Sequence, residues 1–439
     1  LSESTHGLPA WLTKPRGPLL TLGNLERLAI AVGVALRIAE FLGFRNLYLD
    51  ERLLLENIVG RAPFDFHHVL VNDQMAPPGF LVVERLLVHL PFHVLATARL
   101  FPLLCGIACV FLMRTAARRY LDPRAVPIAI ATLALGDHLL YYSAEVKQYS
   151  CDLLMALAAL ALASPSPADD GEASGARPLG RLAVFGLIAP WFSFTVLFVL
   201  AGIGMKLLWD AVRGHDRSKI LAVAGIGLGW VVNIGLCVLL SRSILSSRDF
   251  IWVWWDFAFL PIPPHTVADA RLVAESMANV FINPGSILSP LDFTGTAAVA
   301  SAVALIGGLS LGRRRPGALW LLVSPLLFGL AASAVRQYPF HGRLVFYLVP
   351  TYHMLLAEGM VALGRRSRWI LTLLLAAFFL YGEAEEVSRH YLMQPRFRTF
   401  DSHGDLKNDL LDELEARRRP RRNPWLPPGT PAAVSPDSR

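Results

Sequence analysis

The chain has 439 residues, of which 54% are hydrophobic and only 17% charged, and its mean hydropathy is +0.46. A water-soluble domain of this length could not enclose so much apolar surface in one core, so the chain reads as a membrane protein. Its formal net charge of +7 comes from basic residues in short clusters between apolar runs, a pattern that positive-inside topology explains and that excludes a nucleic-acid partner.

Residues 1–24 are polar and rich in Pro and Gly. They lack the short apolar core and small-residue cleavage site of a removable signal peptide, so they are expected to form a cytoplasmic segment before a retained anchor. Apolar stretches able to cross ~30 Å of hydrocarbon follow at about 25–44, 96–116, 125–143, 149–164, 181–191, 193–210, 219–241, 295–312, 317–334, 343–363 and 368–382. They predict an all-α polytopic membrane protein with about 10–11 transmembrane helices over residues 25–382. Glu26, Arg27, Arg37 and Glu40 in the first span need partners or interfacial positions. The clusters Arg114/Arg118/Arg119, Lys206/Arg213/Arg217/Lys219, Arg313/Arg314/Arg315 and Arg365/Arg366/Arg368 all fall on the cytoplasmic side if the first span runs outward and the rest alternate.

That alternation leaves residues of about 45–95 as one external loop. Within it, Pro77 to Leu90 is too short to span and carries Glu84, Arg85 and His89, so it is expected to be an external juxtamembrane helix lying on the interface. Residues 164–177, rich in Pro, Ser, Asp and Gly, form a cytoplasmic loop, and Pro190-Trp191-Phe192-Ser193 marks a tight outer hairpin. A second external loop, about 242–294, holds the run Ile251-Trp252-Val253-Trp254-Trp255, a composition suited to a membrane-water interface. Residues 383–439 form a short polar tail with a charged helix-like stretch, Asp405 to Arg419. Parity makes this tail external, and the basic run Arg417 to Arg422 opposes that placement. Cys105, Cys109, Cys151 and Cys237 lie in or beside apolar runs and read as small buried hydrophobes.

The polar residues that lipid does not explain gather on the predicted external side. Asp50-Glu51 follows the first span, where a carboxylate at a membrane boundary can act as a general base toward a hydroxyl. The competing reading is that both acids only start the next helix. The turn Tyr141 to Asp152 packs Glu145, Lys147, Gln148 and Tyr149 at one membrane surface. Lys147 there could hold a phosphate as a point charge, or anchor an interfacial tyrosine belt. Arg336-Gln337-Tyr338-Pro339-Phe340-His341-Gly342-Arg343 runs against the positive-inside bias, which an anionic headgroup explains. Asn72-Asp73-Gln74-Met75-Ala76-Pro77-Pro78-Gly79-Phe80 supplies two structural prolines and Gln74 as a further pocket residue. His67-His68 has no partner at ligand spacing and reads as a surface pair. No metal site emerges, although Asp50, Glu51 and Asp73 could hold a divalent cation through oxygen.

The order of these features resembles the bacterial dolichyl-phosphate-mannose protein mannosyltransferase-like family, a GT-C type of membrane glycosyltransferase. The resemblance is carried by Asp50-Glu51, Gln74-Met75-Ala76-Pro77-Pro78-Gly79-Phe80-Leu81, Ala98-Arg99-Leu100-Phe101-Pro102, Tyr142-Ser143-Ala144-Glu145-Val146-Lys147-Gln148-Tyr149 and His341-Gly342-Arg343. It extends over about Leu25 to Leu363. It implies a multi-pass enzyme of the bacterial inner membrane that moves a sugar from a polyprenyl-phosphate donor to a hydroxyl on an acceptor lipid, glycan or protein at the external face. It further implies Asp50 as general base with Glu51 beside it, and Lys147, Arg336 and Arg343 on the donor phosphate. Gln74, Glu145, Gln148, Tyr149 and His341 then shape the pocket. The cations on the phosphate side already offer charge neutralisation, so no cofactor is expected, with a divalent cation as the alternative. The short tail departs from the folded external domain that often ends such proteins. Two other classes share the membrane signature. A transporter would place ionisable groups near the bilayer midplane in paired halves, and a non-catalytic polysaccharide-assembly subunit would share the fold without needing the base.

Overall fold

The structure, a computed structural model, describes residues 21–43, 45, 47–163, 176–242, 246, 248–365, 367 and 369–389. The expectations for residues 1–20, for most of the 164–177 loop, for Arg366 and Arg368, and for the tail beyond residue 389 with its 405–419 stretch lie outside these residues. All regular elements among the described residues are helical.

Among the described residues these α-helices follow one another: α1 (Leu22–Leu42), α2 (Leu49–Ile58), α3 (Pro78–Leu87), α4 (Val94–Tyr120), α5 (Ala125–Leu135), α6 (Asp137–Tyr142), α7 (Tyr149–Ala163), α8 (Ala176–Ile188), α9 (Val196–Arg213), α10 (Arg217–Leu240), α11 (Arg248–Trp254), α12 (Val267–Asn279), α13 (Phe293–Arg314), α14 (Pro316–Ala334), α15 (Val349–Gly364) and α16 (Ile370–Ser388). Short 3-10 turns cover Ala189–Trp191, Asp256–Ala258 and Gly342–Leu348. A helix occupies each apolar stretch of the sequence. Helices α4, α10, α13, α14 and the segment Gly342–Gly364 are long and apolar enough to cross a membrane by length and composition. Shorter apolar helices at Ala125–Leu135, Tyr149–Ala163 and Leu179–Trp191 accompany them.

In hydrocarbon, helices gain nothing from burying leucine against leucine, so association rests on close packing and on satisfied polar groups. Here α13 packs along α15, α4 along α7, α1 against α5, and α9 against α14, while α10 leans mainly on α9 at the edge of the bundle. The charges of α1 find partners. Arg114 and Arg118 reach Glu26 at 2.7 and 2.6 Å. Buried Arg37 donates to the carbonyls of Gly33, Leu133 and Ala134 at 3.0–3.3 Å, so this arginine is met by backbone rather than by an acid.

The α3 helix is short, as expected, but its polar residues do not face outward. Glu84 and Arg85 are fully buried on the same side as Phe80 and Leu81. Arg85 turns inward because the carbonyls of Asp65 (2.8 Å) and Asn57 (3.4 Å) accept its donors. Both Glu84 oxygens lack a hydrogen-bond partner among the described residues, and burial pushes this carboxyl's pKa well up.

Candidate active site

One end of the bundle holds a cavity of about 600 Å³ built by segments far apart in the chain. The start of α2 supplies Asp50. Because Asp50 and Glu51 sit side by side in the first helical turn, their side chains leave in different directions. Asp50 enters the cavity and pairs with Arg343. Glu51 turns back and inward. It accepts from the Tyr48 N–H at 3.3 Å, from Arg45 at 3.0 Å, from Arg99 Nε and Nη2 at 2.7 and 2.9 Å, and from the Val146 N–H at 3.1 Å. With no solvent exposure and its oxygens occupied, Glu51 ties Arg45, Arg99 and the Val146 N–H together and, unlike its neighbour Asp50, does not line the cavity beside which the sequence had placed it. Its withdrawal also breaks up the set Asp50, Glu51 and Asp73 considered for a cation, since only Asp50 and Asp73 line the cavity. Among the described residues, no group of three or more His, Cys, Asp or Glu side chains is arranged to hold a metal ion.

The bend between α6 and α7 supplies Lys147, which is buried and donates to Gln74 Oε1 at 2.6 Å. Gln74 itself is held by a 3.2 Å bond to the Asn72 carbonyl. Asn72 and Asp73 lie in the left-handed region (φ 61° and 50°), which Asn and Asp tolerate better than bulkier residues, and the resulting turn aims Gln74 at the lysine. Burial pulls the Lys147 pKa down to about 8, with Asp50 and Glu145 opposing the fall. Gln148 and Tyr149 join the same wall. Glu145 does not reach the cavity. It lies fully buried behind Lys147 with neither oxygen hydrogen-bonded to any described residue. Burial and then the Glu51 carboxylate push its pKa up to about 7.

The late Arg/His run is split by its own backbone. Gly342 adopts φ +49° and sends its neighbours to different walls. Arg343 enters the cavity, its guanidinium 5.7 Å from the Tyr149 ring. His341 faces away from it, into a second, smaller pocket. Arg336 is exposed at the rim, where it pairs with Asp256 and its carbonyl accepts from Trp252 Nε1 at 2.5 Å. Neither Arg336 nor His341 therefore joins Arg343 in the main cavity.

Three features escaped the sequence reading. Arg45 and Arg99 sandwich Glu51, and Arg99 lies in the apolar first half of α4, where nothing local marks its partner. Ser193 donates to Asp152 at 2.5 Å and stands 3.1 Å from Thr195, tying α7 to the start of α9. The tryptophan run also does more than mark an interface: Trp252, Trp254 and Trp255 line the cavity together with Pro190, Phe194 and Leu197. The site is thus two carboxylates, Asp50 and Asp73, and two cations, Lys147 and Arg343, facing an aromatic and aliphatic wall. Such a layout can hold an amphiphile with an anionic headgroup while offering a base nearby.

No family model matches the sequence, and no curated protein matches it. Solved structures do. The archaeal oligosaccharyltransferase AglB from Archaeoglobus fulgidus, in complex with an inhibitory peptide and a dolichol-phosphate, is similar at a TM-score of 0.51 and 14% identity, over 86% of this chain and 56% of that one. The apo form of the oligosaccharyltransferase from the same organism gives 0.51 and 14%, over 95% and 62%. ArnT from Cupriavidus metallidurans in the apo state gives 0.49 and 17%, over 79% and 61%. The chain covers less than two thirds of the length of each of these proteins. Taken with the helix order above, the two oligosaccharyltransferase structures give the chain's architecture: it is a multi-pass membrane protein of the GT-C fold, all-helical over its described residues.

Proposed function

We propose that this chain transfers a glycosyl residue from a polyprenyl-phosphate-linked sugar to an acceptor hydroxyl, with the cavity opening on the external face of a bacterial inner membrane. The observation that carries this reading is the convergence of Asp50, Lys147 and Arg343, from three separate segments, on one cavity with a largely apolar wall. Asp50 takes the proton of the acceptor hydroxyl as its oxygen attacks the anomeric carbon. The bond from that carbon to the phosphate oxygen breaks, and the negative charge left on the polyprenyl phosphate is met by Lys147 and Arg343. Gln74 fixes the lysine, and Tyr149 backs the arginine. Because Arg343 pairs with Asp50, a phosphate that draws Arg343 to itself also releases Asp50 for the hydroxyl.

The wall opposite these charges suits an isoprenoid tail. Leu53, Met75, Ile234 and Val238 line it, and α10, which carries the last two, is only 11% buried over its apolar window, giving the tail a route into the bilayer. The dolichol-phosphate held by AglB supports a carrier of this class, and the sequence resemblance makes mannose the first sugar to try. The acceptor remains any hydroxyl-bearing lipid, glycan or protein. With Lys147 and Arg343 supplying positive charge, the reaction as written needs no cofactor.

Membranes containing the chain are supplied with a panel of polyprenyl-phosphate sugars, and released carrier is read by mass spectrometry. Asp50→Asn is expected to lower turnover by about 10²–10⁴-fold while polyprenyl phosphate binding persists. A transporter or a non-catalytic assembly subunit would release no carrier, and its transport or binding would be indifferent to the substitution. Either outcome would remove the transferase reading.

A further inference from the structure

The turn that sends Arg343 into the main cavity has a second pocket behind it, of about 270 Å³. One wall is a single face of α12, where Glu275, Ser276 and Asn279 stand one to four residues apart, followed by Asn283 from the next segment. The opposite wall is aromatic: Phe257 meets the His341 ring edge to face, with centroids 5.2 Å apart. Asn283 is half-buried in this wall, and its Oδ1 atom has no hydrogen-bond partner among the described residues.

We propose that this pocket binds one neutral sugar ring of a glycan acceptor, and so selects glycans longer than a monosaccharide as the acceptor class. The inference rests on the transferase reading. Amide and hydroxyl groups on one side meet the hydroxyls around a pyranose, and the aromatic side takes its apolar C–H face. The charge balance disfavours an anion, because the one carboxylate, Glu275, is matched by Arg271 at 2.6 Å and burial lowers the His341 pKa, leaving the imidazole neutral near pH 7. The donor's own sugar is assigned to the main cavity. It must stay bonded to the phosphate held by Lys147 and Arg343, and those side chains line that cavity. Trp255 connects the two spaces: it lines the main cavity and packs 6.1 Å from His341 and 5.7 Å from Phe257. A glycan with one ring in the small pocket and its next hydroxyl directed toward Asp50 would run along Trp255.

The test uses the full chain in detergent or nanodiscs and a panel of neutral oligosaccharides built from hexose and N-acetylhexosamine units. Binding is followed by intrinsic tryptophan fluorescence, and affinity for a polyprenyl phosphate is measured in parallel. Wild type is expected to bind at least one oligosaccharide. Asn283→Ala and Asn279→Ala should each weaken that binding about tenfold, the equivalent of ~1.4 kcal/mol, and raise KM for the glycan acceptor with kcat and polyprenyl phosphate affinity unchanged. Retained polyprenyl phosphate affinity also reports that each variant is folded. The proposal is overturned if wild type binds no oligosaccharide of the panel, or if binding survives both substitutions undiminished. Failure of wild type to bind polyprenyl phosphate would instead sink the transferase reading, whatever the sugars do.

Discussion

A carboxylate with no exposure to solvent stays ionised only when cations and N–H donors replace its water. Glu51 has both. Burial opposes its ionisation, but Arg45 and Arg99 hold its pKa below the ordinary carboxylate value, helped by the Val146 N–H. Removing that charge strands two buried guanidiniums, a loss of about 3–5 kcal/mol. Glu51→Gln is therefore expected to lower thermal stability in detergent sharply, as read by fluorescence-detected size exclusion, whereas Asp50→Asn should melt close to wild type. Equal melting of the two would deny Glu51 its structural role. Lys147 makes a pH prediction. Its pKa, lowered by burial to about 8, means that its charge is complete below that pH and lost above it, where an ordinary lysine would remain charged. Glu145, raised to about 7 by burial and by Glu51, gains its negative charge over the neighbouring range. Both changes weaken anion binding as pH rises, so polyprenyl phosphate affinity should decline through pH 8, and Lys147→Arg should remove most of that decline. The sequence exposed Asp50, Lys147 and Arg343 because charge at the predicted external ends of apolar runs demands a reason. It did not show that Glu51 would turn away from the cavity that Asp50 lines, nor that Arg336 and His341 would lie outside the cavity that Arg343 enters. Those distinctions depend on a first-turn side-chain direction and on the left-handed backbone at Gly342, neither of which leaves a composition signal.

Between elements, the closest approach is made by α13 and α15, where backbones touch without intervening side chains. A Cβ on Gly307 would lie 2.0 Å from the Leu355 carbonyl oxygen, and one on Gly359 would lie 1.9 Å from that of Val303. Neither neighbour is a flexible tip, so the helices would have to part. Gly359→Val should cost about 3 kcal/mol or more and depress the melting temperature. Gly225→Ala, on the lipid-facing edge of α10 where nothing lies within 4 Å, should leave stability unchanged or slightly raised. If both melt like wild type, packing of α13 on α15 is not what holds this part of the bundle. The sequence gives no hint of the difference, since both glycines sit in equally apolar runs; only the partner helix distinguishes them. What was legible at this scale is where the apolar runs lie, because lipid demands them locally; their lengths were not, since among the described residues five of them hold helices long and apolar enough to cross a membrane while the expected 125–143 span is broken into α5 and α6. The inward turn of Glu84 and Arg85 in α3 was not legible, because the carbonyls that receive Arg85 belong to Asn57 and Asp65 on another segment.

The molecule as a whole is polarised. At one end, Arg114 and Arg118 meet Glu26, Arg314 and Arg365 meet Glu358, and Arg315 donates to the Arg119 carbonyl at 3.1 Å. At the other end, where the cavity lies, Arg45 and Arg99 are matched by Glu51, Arg343 by Asp50 and Arg336 by Asp256. Topology during insertion follows Lys and Arg near the ends of spans and takes little account of acids. The denser Arg clusters at the Glu26 and Glu358 end therefore predict that this end is cytoplasmic and that the cavity opens outward. A single cysteine placed at Phe64, which is 69% exposed at the cavity end, should react with a membrane-impermeant maleimide in intact spheroplasts. One placed at His215, in the turn between α9 and α10, should react only after permeabilisation. The native cysteines are all buried, so background labelling should be low. The reverse pattern would turn the cavity toward the cytoplasm. Asp50, Lys147 and Arg343 would still converge, but the donor would have to be drawn from the inner leaflet, and transfer at the external face would be ruled out.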